Sequence, residues 1–229
     1  ILRSAVGDYA FHTFYSSLHN FCATDLSAFY FDVRKDALYC DPPLSKRRRA
    51  ARTVLDHLFD CLTAWLAPAL PFTSEEAWLS RFPSEDDSVH LRLFPDLPTV
   101  WSDLELEARW NRVREIRRLV TGALEVERAE KRIGSSLEAS VCIYHTGSDE
   151  DHLGDFVDMA ELAIASEVSW SSEEAPPAAF RLDEVPGFAI SVTKARGGKC
   201  GRCWQHLASV GSCADQPDLC ERCLSAVQF

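Results

Sequence analysis

The sequence has one methionine, Met159, and no long uncharged apolar run. Its richest apolar stretch, residues 54–70 (VLDHLFDCLTAWLAPAL), is broken by Asp56, His57, Asp60 and Pro68, so no membrane span is expected. No secretory segment stands at its start. A chain that opens on Ile1 and has its only methionine at Met159 is expected to be a piece of a longer protein. Glycine-rich phosphate loops, a Ser/His/Asp pattern and a convincing pair of catalytic carboxylates are all lacking, which leaves catalysis no visible seat. Positive net charge is lacking too: the chain carries -11, where nucleic-acid-binding domains are usually basic.

That charge is unevenly spread. Residues 149–184 hold eleven acids (Asp149, Glu150, Asp151, Asp155, Asp158, Glu161, Glu167, Glu173, Glu174, Asp183, Glu184) against one base, Arg181. The rest of the chain is therefore nearly neutral, and local patches can still meet an anionic partner. The acidic segment is expected to face solvent. The run SKRRRAAR carries five bases (Lys46, Arg47, Arg48, Arg49, Arg52), and residues 194–229 carry five against three acids. At 46% hydrophobic residues and 229 in length, the chain can build a real core, as one large domain or two to three small ones.

Hydrophobic spacing predicts a mainly α protein. Phe11, Phe14, Tyr15 and Leu18 share a helical stripe. Asp25 is placed to cap a second helix whose apolar face is Leu26, Phe29, Tyr30, Val33 and Ala37, ending at Asp41-Pro42-Pro43. A longer helix is predicted over 45–67, and Thr73-Ser74-Glu75-Glu76 matches a capping box opening a short helix through Trp78. A long helix follows over about 102–132, with Leu106, Trp110, Val113, Val120 and Leu124 buried and its arginines (Arg112, Arg114, Arg117, Arg118) paired in part with Glu105, Glu107 or Glu115. His19 and His57, set among apolar residues, read as core histidines. These helices suggest an antiparallel bundle. Residues 137–145, 166–170 and 188–194 then alternate like strands around a short helix near 151–164, which makes a small α+β unit.

Nine cysteines complete the inventory. Cys22, Cys40, Cys61 and Cys142 lie in or beside apolar patterns and behave as ordinary core thiols. Cys200-x-x-Cys203 and Cys220-x-x-Cys223, sixteen residues apart, fit a structural zinc site of four thiolates. With four ligands supplied by protein, no position remains for a reacting water, so the ion holds a fold and does not catalyse. Two disulfides or unrelated thiols are the alternative, and a reduced cytoplasmic setting argues against them. Cys213 could compete as a ligand but has no paired neighbour. Trp204 follows the second ligand among Lys199, Arg202, His206 and Arg222. An indole on a rigid knuckle among cations suits stacking on an unpaired base, whereas the plainer reading has Trp204 covering the knuckle's small core. Arg47 and Arg48 could grip phosphate or simply start a solvated helix, although cations there oppose the helix dipole.

DLSAFYFDVRKDALY, RRRAARTVLDHL and LAPALPFTSEEAW (residues 25–39, 47–58 and 66–78) resemble the anticodon-binding helical domain of class I aminoacyl-tRNA synthetases, in the branch for isoleucine, valine, leucine and methionine. EKRIGSSLEASV (130–141), GGKCGRCW and the second cysteine pair are similar to the carboxy-terminal part of bacterial-type isoleucyl-tRNA synthetases. The resemblance covers essentially the whole chain in order. It implies a helical anticodon-binding domain (1–132), a small α+β junction (133–195) and a zinc-binding tail (196–229). It implies Cys200, Cys203, Cys220 and Cys223 as ligands of one zinc ion, and Trp204, Lys199, Arg202, Arg47 and Arg48 as RNA-binding residues. The implied partners are the anticodon stem-loop of isoleucine tRNA and the catalytic and editing domains of a parent chain, with no membrane. The adenylate-forming motifs of class I enzymes, one built on His-Ile-Gly-His and one on Lys-Met-Ser-Lys-Ser, are not in this sequence; ATP and magnesium would belong to the rest of the parent, and this piece alone should be inactive. The alternatives are the equivalent piece of a valyl-type sister, which would be expected to end in a coiled coil, or a zinc-stabilised protein-interaction module.

Overall fold

The computed structural model of the chain describes residues 1–146 and 153–228. By contacts it divides into two compact units, one of residues 1–42 with 108–229 and one of residues 43–107. The protein is mainly helical, with a small mixed sheet and a cysteine cluster near its end.

The first unit opens with α1 (Leu2–Gly7) and α2 (Phe11–Asn20). Asp25 does not start a new helix. The backbone stays helical through Asn20 and Phe21, winds as a π-helix over Phe21–Phe31 and continues as α3 (Asp32–Cys40). A cap needs a break in helical φ/ψ, and none occurs there. The Asp25 carboxylate instead accepts a bond from Arg114 at 2.6 Å. Of the stripe in α2, Phe14 and Leu18 are buried while Phe11 and Tyr15 stay exposed. Leu26, Val33 and Ala37 face inward as their spacing predicts, and helix α3 ends just before Asp41-Pro42-Pro43.

In the second unit, α4 (Lys46–Leu66) begins with the basic run behind an N-cap at Ser45, whose hydroxyl accepts the Arg48 N–H at 3.4 Å. Helix α5 (Pro71–Arg81) starts earlier than the capping box, at Pro71, whose fixed φ and missing N–H suit a first helical turn. Glu75 is then free to accept Val89 N–H at 2.9 Å and the Ser88 hydroxyl at 3.0 Å. The two helices run antiparallel, since Asp56 pairs with Arg81 while Phe59 stacks near Trp78. His57 is exposed against Trp101, with ring centroids 4.9 Å apart, and His19 is exposed as well; neither is a core histidine.

Helix α6 (Leu104–Ala129) carries the main core of the first unit on one face. Val113, Val120 and Leu124 are buried as predicted, joined by Ile116, Leu119 and Ala123, while Leu106 is exposed. Arg112 alone among its predicted local pairs meets Glu115, at 2.9 Å; Arg117 donates to the Leu162 carbonyl at 2.7 Å. Against α6 packs a sheet of β1 (Ala139–His145), β2 (Glu167–Ser171) and β3 (Phe188–Lys194) in the order β2-β1-β3. Strand β1 is parallel to β2, with Val141 opposite Val168, and antiparallel to β3, with Val141 opposite Val192. Two short helices, α7 (Leu153–Phe156) and α8 (Met159–Ala163), connect β1 to β2 in place of the single one expected; residues 151 and 152 of that expectation lie outside the described residues. Within the acidic segment, Glu173, Glu174, Asp183 and Glu184 are exposed, but Glu161 turns inward to Arg34 at 2.7 Å. Asp149, Glu150 and Asp151 lie outside the described residues. Among the described residues, no helix is long and apolar enough to cross a membrane.

The tail forms a two-stranded ribbon, β4 (Gly198–Lys199) against β5 (His206–Leu207), and ends in α9 (Glu221–Val227). Gly197 introduces the ribbon at φ 103°, where a β-carbon would lie 2.3 Å from the Leu207 carbonyl carbon. Only glycine permits that approach.

Candidate metal centre and nucleic-acid interface

The ribbon flanks the first cysteine pair, and Gly201 N–H, donating to the Asp218 carbonyl at 2.8 Å, joins the segment before the second pair to it. The chain turns back at Cys200-Gly201-Arg202-Cys203, closed by Trp204 N–H to the Cys200 carbonyl at 3.0 Å and Cys200 N–H to the Gln205 carbonyl at 2.9 Å. The second pair brackets the start of α9, with Cys220 at its N-cap and Cys223 in its first turn. All four side chains are buried and their sulfurs lie within 4.8 Å of one another. The Cys203 and Cys220 sulfurs are 3.8 Å apart. A disulfide would need about 2.05 Å, whereas a zinc–sulfur distance near 2.3 Å gives a tetrahedron with edges of about 3.8 Å. The cysteines are free, and their arrangement fits a zinc ion.

The surroundings suit thiolates. Burial pushes the Cys200 thiol up, but hydrogen bonds from the backbone N–H groups of Cys203, Cys220 and Arg202 outweigh it and bring it down to about 6. Burial raises Cys203, with Arg222 opposing, and raises Cys223 to about 11, with Arg202 opposing. Four thiolates around a divalent cation would leave two negative charges, and two guanidiniums are at hand to offset them: Arg202 Nη1 lies 3.7 Å from the Cys223 sulfur, and Arg222 faces Cys203. Zinc bound here would supply folding energy. Cys213 stands outside the cluster.

Both arginines also fasten the knuckle to the end of α3, which no sequence pattern announces. Arg222 grips Asp36 through two bonds, at 2.5 and 2.7 Å, and reaches Asp41 at 3.5 Å. Arg202 donates to the Tyr39 carbonyl at 2.9 Å and to the Cys40 carbonyl, satisfying helix-end acceptors that lack partners within the helix. Cys40 packs against the four cysteines, and its thiol donates to the Arg202 carbonyl at 3.8 Å. Burial and the neighbouring Asp36 raise it to about 11, and it stands outside the group of four whose sulfurs lie within 4.8 Å of one another. On the other side, His206 N–H donates to the Ser166 hydroxyl at 2.7 Å, tying the ribbon to the entrance of β2.

The predicted RNA-binding residues separate. Trp204 is 60% exposed and absent from the knuckle's apolar cluster, so the core-covering reading fails. It adopts φ 66°, a left-handed conformation costing about 1 kcal/mol, imposed by the turn around the first cysteine pair. Lys199 is exposed beside it in β4. Arg202, read from sequence as a contact to RNA, also donates to the end of α3 and lies near the Cys223 sulfur. Arg47 and Arg48 belong to the second unit, on the first turn of α4. Sequence reasoning passed over Lys194 and Arg196, which are exposed and, with Lys199, have no carboxylate partner among the described residues. Their signal was the basic spacing in TKARGGK leading into the first cysteine.

Residues 2–143 match the family described as the anticodon-binding domain of tRNA ligase, and residues 197–226 match a zinc finger found in FPG and IleRS. Among curated proteins, the isoleucine--tRNA ligase of Agrobacterium fabrum is 46% identical over 228 residues, covering 100% of this chain and 24% of that protein. Those of Mesorhizobium japonicum and Bradyrhizobium diazoefficiens are each 48% identical, covering 97% and 99% of this chain and 23% of each relative. The chain thus spans about a quarter of the length of the relatives it matches. It belongs to the anticodon-binding domain family of tRNA ligases, and over its whole length it is similar to isoleucine--tRNA ligases.

Proposed function

We propose that this chain is the carboxy-terminal, anticodon-reading part of an isoleucine--tRNA ligase, binding the anticodon stem-loop of isoleucine tRNA. The observation that carries the reading is Trp204: an indole 60% exposed on a four-cysteine knuckle, in a chain whose helices match a tRNA-ligase anticodon-binding domain. Its ring would stack on an unpaired anticodon base, with Lys199 answering phosphate. Arg47 and Arg48 would contribute phosphate contacts from the helical domain, taken as residues 1–132, with a junction over 133–195 and the tail over 196–229. Arg202 would serve as the residue that fixes the knuckle in place. One structural zinc ion would be held by Cys200, Cys203, Cys220 and Cys223. ATP-dependent joining of isoleucine to its tRNA, with magnesium, would occur in the catalytic domain of the parent protein, in the cytoplasm, and proofreading in its editing domain.

Replacing Trp204 by alanine tests the stacking role. Removing one stacked base–aromatic contact costs about 1–3 kcal/mol, so tRNA affinity should fall by about 5- to 150-fold. Zinc stoichiometry should not change, because the indole lies outside the knuckle's core. Unchanged affinity with intact zinc would refute the role of Trp204.

A further inference from the structure

Tyr39 lies in the last turn of the helix on which the knuckle is docked, and it is 74% exposed. Exposed aromatics elsewhere in the first unit touch another ring: Tyr9 meets Phe11, and Tyr15 meets Phe14. Among the described residues of that unit, Tyr39 and Trp204 are the exposed aromatics with no ring against them. They are joined through one guanidinium. Arg202, two residues before Trp204, donates to the Tyr39 carbonyl at 2.9 Å.

The side-chain direction follows from helical spacing. Asp36 faces the knuckle through Arg222, and Cys40 faces it through the cysteine cluster. At about 100° per residue, Tyr39 lies about 60° from Asp36 and about 100° from Cys40, on the rim of the docked face and pointing clear of it. The local charge is mixed, since Asp215, Asp218 and Glu221 of the knuckle are exposed. Asp36 and Asp41 are answered by Arg222, while Lys194, Arg196 and Lys199 lead into the knuckle exposed and, among the described residues, without carboxylate partners.

We infer that Tyr39 is a second base-stacking residue, so that the end of α3 and the knuckle form one two-ring platform for adjacent unpaired bases of an RNA loop. This rests on the anticodon-reading role of Trp204 and adds to it a residue from the helical part of the chain. Its phenyl face does the work; its hydroxyl is secondary.

The test uses the zinc-loaded chain and isoleucine tRNA, comparing Tyr39→Phe, Tyr39→Leu and Trp204→Ala. Tyr39→Leu keeps an apolar, helix-compatible side chain and the backbone carbonyl that Arg202 needs, so zinc content and thermal stability should match the unchanged chain. Affinity should fall about fivefold or more for Tyr39→Leu and less than about twofold for Tyr39→Phe. If Tyr39→Leu binds as tightly as the unchanged chain while Trp204→Ala is weakened, Tyr39 is a spectator and the role of Trp204 stands. Equal losses for the phenylalanine and leucine variants would show that the hydroxyl and not the ring is read, and would overturn stacking. If neither tyrosine variant nor Trp204→Ala weakens binding, both proposals fail together.

Discussion

Replacing Cys220 by serine should abolish stoichiometric zinc binding and unfold residues 197–227 while the α6–sheet core stays folded. Beyond the metal the tail is held mainly by the bonds of Arg202, Arg222 and His206 to the rest of its unit, which position it without giving it a core. Apart from the cysteines, its apolar cluster among the described residues consists of the partly buried Leu207, Val210 and Leu219, and its ribbon has two residues in each strand. Structural zinc in such segments contributes on the order of 10 kcal/mol, which is also the scale of a whole domain's stability. Serine offers a poor ligand and opens the fourth position to water. Metal analysis and hydrogen exchange would read the two halves of the prediction. A variant that keeps one zinc per chain and full protection in the tail would show that the metal is not what folds it.

Reversing the charge at Asp36, by Asp36→Lys, should free the knuckle from α3 without costing its zinc. The Arg222–Asp36 pair is bidentate and partly shielded, with side-chain exposures of 33% and 26%. A lysine would place two cations together and leave Arg222 only Asp41, a destabilisation of about 2 kcal/mol at this junction. Arg222 would still face Cys203, so the thiolate cluster keeps its compensating charge. Hydrogen exchange should therefore accelerate at the end of α3 and at β4 and β5, with zinc content unaltered. Unaltered exchange in Asp36→Lys would mean the docking rests on the Arg202 bonds alone.

What could be read from the sequence was local. Alternation located β1, β2 and β3, apolar spacing placed a helix over 45–67 where α4 lies, and paired cysteine spacing located the four-cysteine cluster, because each signal sits within a few residues of its consequence. Competing local signals misled. Asp25 has the chemistry of a cap, yet the apolar surface on both sides of it is buried by one continuous helical run. Thr73-Ser74-Glu75-Glu76 has the form of a capping box, but Pro71 had already fixed the helix start and Glu75 was needed by Ser88 and Val89. The docking of the knuckle was invisible for a different reason. Arg222 and Asp36 are 186 residues apart, and nothing near either one specifies the other. The same distance concealed that Arg202 serves the fold, and that Cys40, one more apolar-pattern cysteine by its neighbours, lies against the cluster.

The central claim is that this chain reads an anticodon, and competition binding addresses it most directly. The zinc-loaded chain, at one moderate salt concentration, would be offered isoleucine tRNA challenged by the same tRNA with a different anticodon. Phosphate contacts are identical in the two, so any preference arises at the loop. The native anticodon should win by about tenfold or more, equivalent to about 1.4 kcal/mol. Equal competition by the altered tRNA would contradict the claim and reduce the chain to a phosphate-binding support.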